Sequence, residues 1–256
     1  MMKINFMFFS MLGIQVFAQE YTAEEIMKMV YDAPKPNSSI TEIKLEIVRI
    51  KHGKEKIKVR EFTRFNKNYS SGKFQSKSLV RFHKPLKIKD TGLLSWVYSN
   101  GKTDQWFFLP KLKTAKRVKA KEKTKSFMGT DFIYEDLESR KLGLDSLSLL
   151  GTEHFQGSQC KVIMAWPKKA SSYFARKLWV STKKWQIIKI EFYSSESNKE
   201  KTLILDKFVE ENNFITPFRM IMTNQNGNKT IMVIQSFKPD IGLRDEIFSE
   251  SFLIKI

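Results

Sequence analysis

Cysteine and histidine are scarce in this sequence. Cys160 is the single cysteine, so the chain cannot close an internal disulfide, and its apolar neighbours predict a small buried side chain. The three histidines, His52, His83 and His154, lie in separate segments. None has the i, i+4 spacing of a helical zinc pair or a cysteine beside it. The sequence therefore predicts neither a disulfide framework nor a metal site.

Motifs for catalysis are also lacking. No Gly-x-Ser-x-Gly elbow occurs, and Gly101-Lys102-Thr103 resembles only the tail of a phosphate loop, because Trp96 stands where the first glycine is required. One acidic cluster contains Asp131, Glu135, Asp136 and Glu138. Paired carboxylates can act as acid and base, but the sequence does not bring two of them to one substrate. We expect no enzyme, no catalytic residues and no cofactor.

Long apolar runs are absent except at the N-terminus. Lys3 precedes an apolar stretch over residues 4–17 that ends in Val16-Phe17-Ala18, which is the layout of a secretory signal peptide. A transmembrane helix needs about 20 apolar residues, so an uncleaved anchor is the lesser alternative. We predict a signal peptide over residues 1–18, cleaved near Ala18. No cysteine follows for lipid attachment, which favours a soluble periplasmic product.

Acidic residues are few relative to basic ones: 45 Lys and Arg oppose 27 Asp and Glu, a net charge of +18. In an exported protein this charge favours anionic lipid head groups or an acidic partner, and we expect no nucleic acid. Solubility alone is the alternative explanation.

The hydrophobic pattern changes from helix to strand early in the chain. Thr22 and Glu25 form a capping box for one helix over residues 21–32, which Pro34 ends. Alternation with period two then predicts a hairpin over residues 43–47 and 57–65. Eleven further strand candidates cover residues 78–82, 93–98, 105–109, 115–118, 147–155, 161–166, 177–180, 187–193, 203–209, 214–223 and 230–237. Their spacing is typical of consecutive antiparallel strands, so we predict one mainly β domain over residues 19–256.

A run of basic residues begins just after the strand candidate over residues 105–109. Its members are Lys111, Lys113, Lys116, Arg117, Lys119, Lys121, Lys123 and Lys125. Either it is the solvated face of a strand and loop, or it is a docking patch for phosphates or an acidic partner.

The segment after the basic run resembles a known family. Aromatic and acidic residues are interleaved around a glycine in Phe127-Met128-Gly129-Thr130-Asp131-Phe132 and Tyr134-Glu135-Asp136-Leu137. This block resembles the outer membrane lipoprotein-sorting proteins, relatives of the periplasmic lipoprotein carrier and its receptor with the LolA/LolB-like fold. Further segments agree in chain order: Glu24-Glu25-Ile26-Met27, Thr91-Gly92-Leu93-Leu94-Ser95, Asp104-Gln105-Trp106-Phe107-Phe108-Leu109-Pro110, Lys177-Leu178-Trp179-Val180 and Ile190-Glu191-Phe192-Tyr193.

The resemblance implies an α+β fold that is mainly β. This is a curved, incompletely closed antiparallel barrel of about eleven strands, with an N-terminal helix and short lid helices over an apolar cavity for acyl chains. It implies a carrier or chaperone for lipid or lipoprotein acyl chains that can act beside a membrane exporter. We also expect a monomer, and the basic exterior predicts transient contact with an anionic membrane surface. From aromatic content and position, we predict these cavity or lid residues: Trp96, Trp106, Phe108, Phe127, Met128, Phe132 and Tyr134.

Two alternatives remain open from the sequence. The first is a non-enzymatic accessory subunit of an envelope complex or lipid exporter, docking through its basic surface. The second is a lipid hydrolase, which requires polar groups converging inside the cavity.

Overall fold

The computed structural model describes residues 21–119, 122–138, 140 and 142–255. The predicted signal peptide lies outside these residues. The first element is helix α1 (Ala23–Asp32), and its N-terminus has the predicted capping box: the Glu25 backbone N–H donates to Thr22 Oγ1 over 3.2 Å, and the Thr22 N–H donates to Glu25 Oε2 over 2.8 Å. No helix in this described part of the chain is long and apolar enough to cross a membrane.

Thirteen strands follow α1. The first six are β1 (Ser38–Lys51), β2 (Lys54–Asn68), β3 (Phe74–Lys84), β4 (Gly92–Tyr98), β5 (Thr103–Leu109) and β6 (Thr114–Arg117). The others are β7 (Asp145–Phe155), β8 (Ser158–Pro167), β9 (Ala175–Ser181), β10 (Gln186–Tyr193), β11 (Lys199–Glu211), β12 (Phe214–Asn224) and β13 (Lys229–Pro239). Each one overlaps a predicted strand, so the count of thirteen predicted from the alternation matches the described residues, whereas the resemblance implied about eleven.

All thirteen strands form one antiparallel sheet that does not close. Its order is β6-β5-β4-β3-β2-β1-β13-β12-β11-β10-β9-β8-β7. The chain starts at the centre with β1, runs outward to the edge strand β6, crosses to the opposite edge at β7 and returns to β13 beside β1. The predicted fold class, a mainly β, curved and incompletely closed barrel, is confirmed.

The crossing between the two edges covers one face of the sheet. We call residues 122–138 the lid segment and the face that it covers the inner face. Phe127 of the lid segment packs in one cluster with Ile43, Phe62 and Phe82, and Phe132 packs in another with Phe192. The lid segment contains a 3-10 helix (Tyr134–Leu137), in agreement with the short lid helices that the resemblance implies.

Helix α1 covers another part of the inner face. Its buried residues Ile26 and Met27 pack on Ile163, Leu178 and Val180 of β8 and β9. Val30 lies about one turn further along the same side of the helix. The three residues therefore form an apolar stripe that faces the sheet.

The C-terminal segment covers the outer face of β3 to β6. It consists of a 3-10 helix (Asp245–Phe248) and helix α2 (Glu250–Ile254). Phe248 and Leu253 are fully buried against Leu79 and Leu94. These two strand residues alternate with Val80 and Leu93, which belong to the inner face, so the two coverings lie on opposite sides of the sheet.

Candidate functional site

A cavity of about 440 Å³ lies between the inner face and the lid segment. That volume lies within the roughly 300–1,000 Å³ range of small-molecule sites. Apolar side chains from both halves of the sheet and from the lid form most of its wall: Ile43, Leu45, Phe62, Val80, Leu93, Phe127, Phe132, Leu137, Leu203, Met220, Met232, Ile234 and Phe237. The methionines add unbranched, adaptable side chains to this wall.

Polar side chains line the other part of the cavity. They come from the N-terminal part of β1 and from β2, β3 and β4: Ser39, Thr41, Arg64, Asn66, Asn68, Ser78 and Ser95. The cavity therefore has an apolar part under the lid segment and a polar part along β1 to β4.

Asp131 fastens the turn of the lid segment to the centre of the sheet. Its carboxylate accepts hydrogen bonds from Arg49 over 2.8 Å, from Thr230 over 2.7 Å and from Asn224 over 2.9 Å. Arg49 also donates to the Gly129 carbonyl over 2.7 Å, and Gly129 holds a φ of 73°, which glycine adopts without strain. One acidic side chain thus joins the lid to β1, β12 and β13.

Asp136 forms a second attachment, on β11. Lys201 donates to its carboxylate over 2.6 Å and to the Asp131 carbonyl over 3.0 Å. The Tyr173 hydroxyl donates to Asp136 over 2.7 Å. Burial is the main cause that raises the pKa of Tyr173, and the negative charge of Asp136 raises it further. Both members of the Asp136–Lys201 pair are almost fully buried, so neither charge has water as an alternative partner.

Glu135 forms the third attachment, on β9 and the loop before it. Its carboxylate accepts from Arg176 over 2.9 Å, from the Ser171 hydroxyl over 2.5 Å and from the Ser172 N–H over 2.7 Å. Burial opposes its charge, but these hydrogen bonds and the Arg176 cation outweigh burial and hold the pKa of Glu135 below its ordinary value. Glu138, the fourth member of the acidic cluster, pairs with Lys123 over 2.5 Å. Asp131, Asp136 and Glu135 thus hold the lid to the rest of the protein, whereas the Glu138 pair lies within the lid segment.

The structure brings four of the seven predicted cavity or lid residues together. Phe127 and Phe132 line the cavity, while Met128 and Tyr134 pack against the inner-face cluster from the lid segment. The sequence reasoning missed Arg64 and the polar residues around it. Their signal was present: polar side chains recur at every second position of β2 from Arg64 to Asn68.

The structure places Trp96, Trp106 and Phe108 elsewhere than predicted. They do not line the cavity but pack on the outer face with Phe248 and Leu253 of the C-terminal segment. The Trp96 indole N–H donates to the Phe248 carbonyl over 2.8 Å. The alternation of β4 and β5 turns these residues outward, because chain neighbours such as Ser95 and Gln105 lie on the inner face.

The basic run surrounds edge strand β6. Lys121 lies outside the described residues. Three other members have acidic partners: Arg117 pairs with Asp104, Lys123 with Glu138 and Lys125 with Glu122. The remaining four are exposed and form no ion pair with any residue that the structure describes: Lys111, Lys113, Lys116 and Lys119.

Cys160 is fully buried on the outer face, as predicted, and burial raises the pKa of its thiol. His83 contacts Thr63 Oγ1 over 2.5 Å, and Thr63 also bonds to Glu42. The described residues include no group of His, Cys, Asp or Glu that could hold a metal ion.

Comparison with known proteins gives matches in one family model and in solved structures. A family model described as that of an uncharacterized protein matches residues 75–255. No curated protein matches the sequence.

Three of the solved structures share the fold over almost the whole chain. The putative outer membrane lipoprotein-sorting protein domain from Vibrio parahaemolyticus is 25% identical, with a TM-score of 0.81, over 91% of this chain and 97% of that chain. A DUF1329 family protein from Desulfovibrio piger is 23% identical, with a TM-score of 0.83, over 90% and 97%. A LolA superfamily protein from Nitrosomonas europaea is 19% identical, with a TM-score of 0.71, over 91% and 100%. Since the family model covers more than half of the sequence, this chain belongs to that family, and its resemblance to lipoprotein-sorting proteins with the LolA-like fold is confirmed.

Proposed function

We propose that this protein is a periplasmic carrier that binds the acyl chains of a lipid or lipoprotein in the inner-face cavity and transfers them between membranes. The apolar cavity under the lid segment carries this proposal. An acyl chain in water costs about 0.8 kcal/mol per CH₂ group, so transfer across an aqueous space needs an apolar container. The lipoprotein-sorting relative supports the same role.

The ion pairs of the lid segment suit binding followed by release. An entry route opens when the lid leaves the sheet, and the lid is held there by a few polar attachments in addition to Phe127 and Phe132. Charged pairs can be exchanged for water at a lower cost than a continuous apolar contact of the same area, because water solvates both ions. We take this role to be non-enzymatic and the mature chain, residues 19–256, to be one domain.

The exposed lysines around β6 supply a means of approaching a membrane. Each lysine near an anionic surface contributes about 1 kcal/mol of attraction. We therefore assign Lys111, Lys113, Lys116 and Lys119 to transient docking on anionic lipid. An accessory subunit of an envelope complex would use the same patch, and it would not need the cavity.

A blocking substitution tests the carrier. Val80 lines the cavity, so V80W is expected to fill it and to reduce uptake of N-phenyl-1-naphthylamine, a neutral apolar probe, by at least tenfold. Val59 on the neighbouring strand β2 is 41% exposed, so V59W is the matched control and should bind the probe like the wild type. Native mass spectrometry of periplasmic protein should find co-purifying lipid in the wild type and less in V80W. Absence of both probe and lipid from the wild type would overturn the proposal.

A further inference from the structure

A band of polar side chains crosses the inner face beside the apolar part of the cavity. Neighbouring strands place these residues opposite one another in register from β1 to β5: Ser39, Asn66, Ser78, Ser95 and Gln105. The next row on this face is mixed, with Thr41 and Arg64 beside Val80 and Leu93, and the row beyond it is apolar, as in the cross-strand series Ile43, Phe62 and Phe82. A polar band inside a covered sheet costs free energy unless its members are hydrogen-bonded.

The far end of this band is not satisfied by the protein. Gln105 is fully buried, and neither its amide nitrogen nor its amide oxygen has a hydrogen-bond partner among the described residues. An unpaired buried amide is costly. Ser95, its neighbour in the band, lines the cavity, so the band leads from the cavity to a polar group that lacks a partner.

Arg64 stands next to this band and carries an uncompensated charge. It lines the cavity, and its one hydrogen bond within the described residues is a long contact of 3.4 Å to the Asn66 amide oxygen. It forms no ion pair with a described residue. Burial lowers the pKa of its guanidinium below the ordinary value, as expected for a cation whose hydration is not replaced by a counter-ion.

The carboxylates of the same cavity do not supply that counter-ion. Asp136 and Glu138 also line it, but Lys201 and Lys123 already neutralise them. Lys35 is the remaining lining cation, and it donates to the Tyr31 carbonyl over 2.7 Å. The wall therefore has a surplus of positive charge.

The cations and amides form a continuous series on β2. Asn66 donates to Asn68 over 3.3 Å, and Asn68 donates to the Pro36 carbonyl over 2.8 Å, next to Lys35. Arg64 lies at the inner end of this series, and exposed Lys35 lies at the outer end. An elongated molecule in the cavity would thus meet apolar groups under the lid and donors of hydrogen bonds along β2.

We propose that the cavity selects amphiphiles with an anionic head group, a carboxylate or a phosphate, which Arg64 and Asn66 bind while the acyl chain lies under the lid segment. The guanidinium fork matches the paired oxygens of either anion. This inference rests on the proposed carrier function, because it assumes that an acyl chain occupies the apolar part.

Displacement of N-phenyl-1-naphthylamine by four dodecyl compounds tests the inference on the mature protein. The compounds are dodecanoate, dodecyl phosphate, dodecanol and dodecyltrimethylammonium, each used below its micelle concentration. We expect both anions to bind at least tenfold more tightly than dodecanol, and the cation to bind less tightly than dodecanol. Inorganic phosphate alone should not displace the probe, since it has no chain.

Substitutions locate the effect. R64M should remove the preference for anions and leave dodecanol affinity within twofold, R64K should keep part of the preference, and N66L should weaken anion binding several-fold. Arg60 lies four residues away on the inner face of the same strand but does not line the cavity, so R60M is the matched control and should keep the preference. If R64M does not fold, R64K and N66L decide the question.

The outcomes separate the two proposals. Equal binding of dodecanoate and dodecanol by the wild type overturns the head-group inference and leaves the carrier in place. Displacement of bound dodecyl phosphate by inorganic phosphate at a similar concentration also overturns it, because the site is then one for free anions. Failure of the probe and of all four compounds to bind overturns the carrier and the inference together.

Discussion

Asp136 is the residue through which the lid segment has its most buried polar contact. Its pair with Lys201 is nearly free of solvent exposure, and the Ile133 N–H and Tyr173 hydroxyl complete its hydrogen bonds. Removing one member of a buried pair leaves the other charge without a partner. We expect D136A to lower the free energy of unfolding by about 3 kcal/mol, measured by denaturant titration.

An exposed ion pair supplies the control for this substitution. Asp32 pairs with Lys28 on α1, and both side chains are more than half exposed. D32A should change the free energy of unfolding by no measurable amount, because water replaces the partner. Equal losses in D136A and D32A would show that burial of the pair at Lys201 does not matter.

Glu135 links the stability of the lid to acid. Its pKa in the folded protein lies below the ordinary value of 4.5, so the folded state binds its proton less readily than the unfolded chain does. Its contribution is therefore complete above the unfolded pKa and is lost as the pH falls through the lower folded pKa. The difference in unfolding free energy between the wild type and E135Q should be larger at about pH 6 than at about pH 3. A difference independent of pH would contradict this link.

Individual residues show how far the sequence alone can predict the site. Phe127 and Phe132 were assigned from the mixed aromatic and acidic block, and both line the cavity. Trp96 and Trp106 were assigned by aromatic content, which carries no information on facing: one residue along a strand decides between cavity and outer face. Arg64 was missed because arginine side chains are mostly exposed, so a single arginine in a strand predicts a solvent-facing side chain unless a covering lid is known.

Among the elements, the C-terminal segment contributes no described residue to the cavity wall. Phe248 is fully buried in the outer-face cluster with Trp106 and Phe108. F248A should therefore cost about 3–5 kcal/mol of unfolding free energy and leave uptake of the apolar probe per folded molecule unchanged. Phe252 of the same segment is 37% exposed, and F252A should cost much less. Loss of probe uptake in folded F248A would place these aromatic residues in the ligand site after all.

Elements were easier to predict than their arrangement. Alternation located all thirteen strands, because one covered face requires apolar residues at every second position. The capping box located α1 for an equally local reason. The sheet order was beyond such reasoning: the pairing of β1 with β13 joins residues separated by most of the chain, as in Ser39 with Pro239, and no local pattern specifies it.

At the scale of the whole molecule, the fold places helix α1, the C-terminal segment and the lid around one open sheet. The lid segment comes from the connection between edge strands β6 and β7, so moving it does not require any strand pair to separate. Its attachments at Asp131 and Asp136 reach β1, β11, β12 and β13, the central strands. The sheet can therefore act as a fixed wall while the lid alone exposes the cavity, which is the division of roles that a carrier needs.

Membrane approach is also a property of the whole molecule, because every basic residue attracts anionic lipid over a Debye length of about 8 Å. The question is whether the lysines around β6 act beyond their share of the net charge. We expect the fourfold Gln variant of Lys111, Lys113, Lys116 and Lys119 to bind vesicles of mixed phosphatidylglycerol and phosphatidylcholine at least tenfold more weakly, since each lysine contributes about 1 kcal/mol at a surface.

A second fourfold variant with the same change of charge makes this measurement specific. The β1–β2 hairpin carries four exposed lysines, Lys51, Lys54, Lys56 and Lys58, and their Gln variant should lose far less affinity in vesicle sedimentation. Raising the salt concentration should weaken vesicle binding by the wild type, and the vesicle affinities of the three proteins should converge, because the lysines act by charge. Equal losses of affinity in both variants would mean that net charge alone attracts the protein to lipid. The docking role of the β6 lysines would then be wrong, while the proposed binding of acyl chains in the cavity would be unaffected.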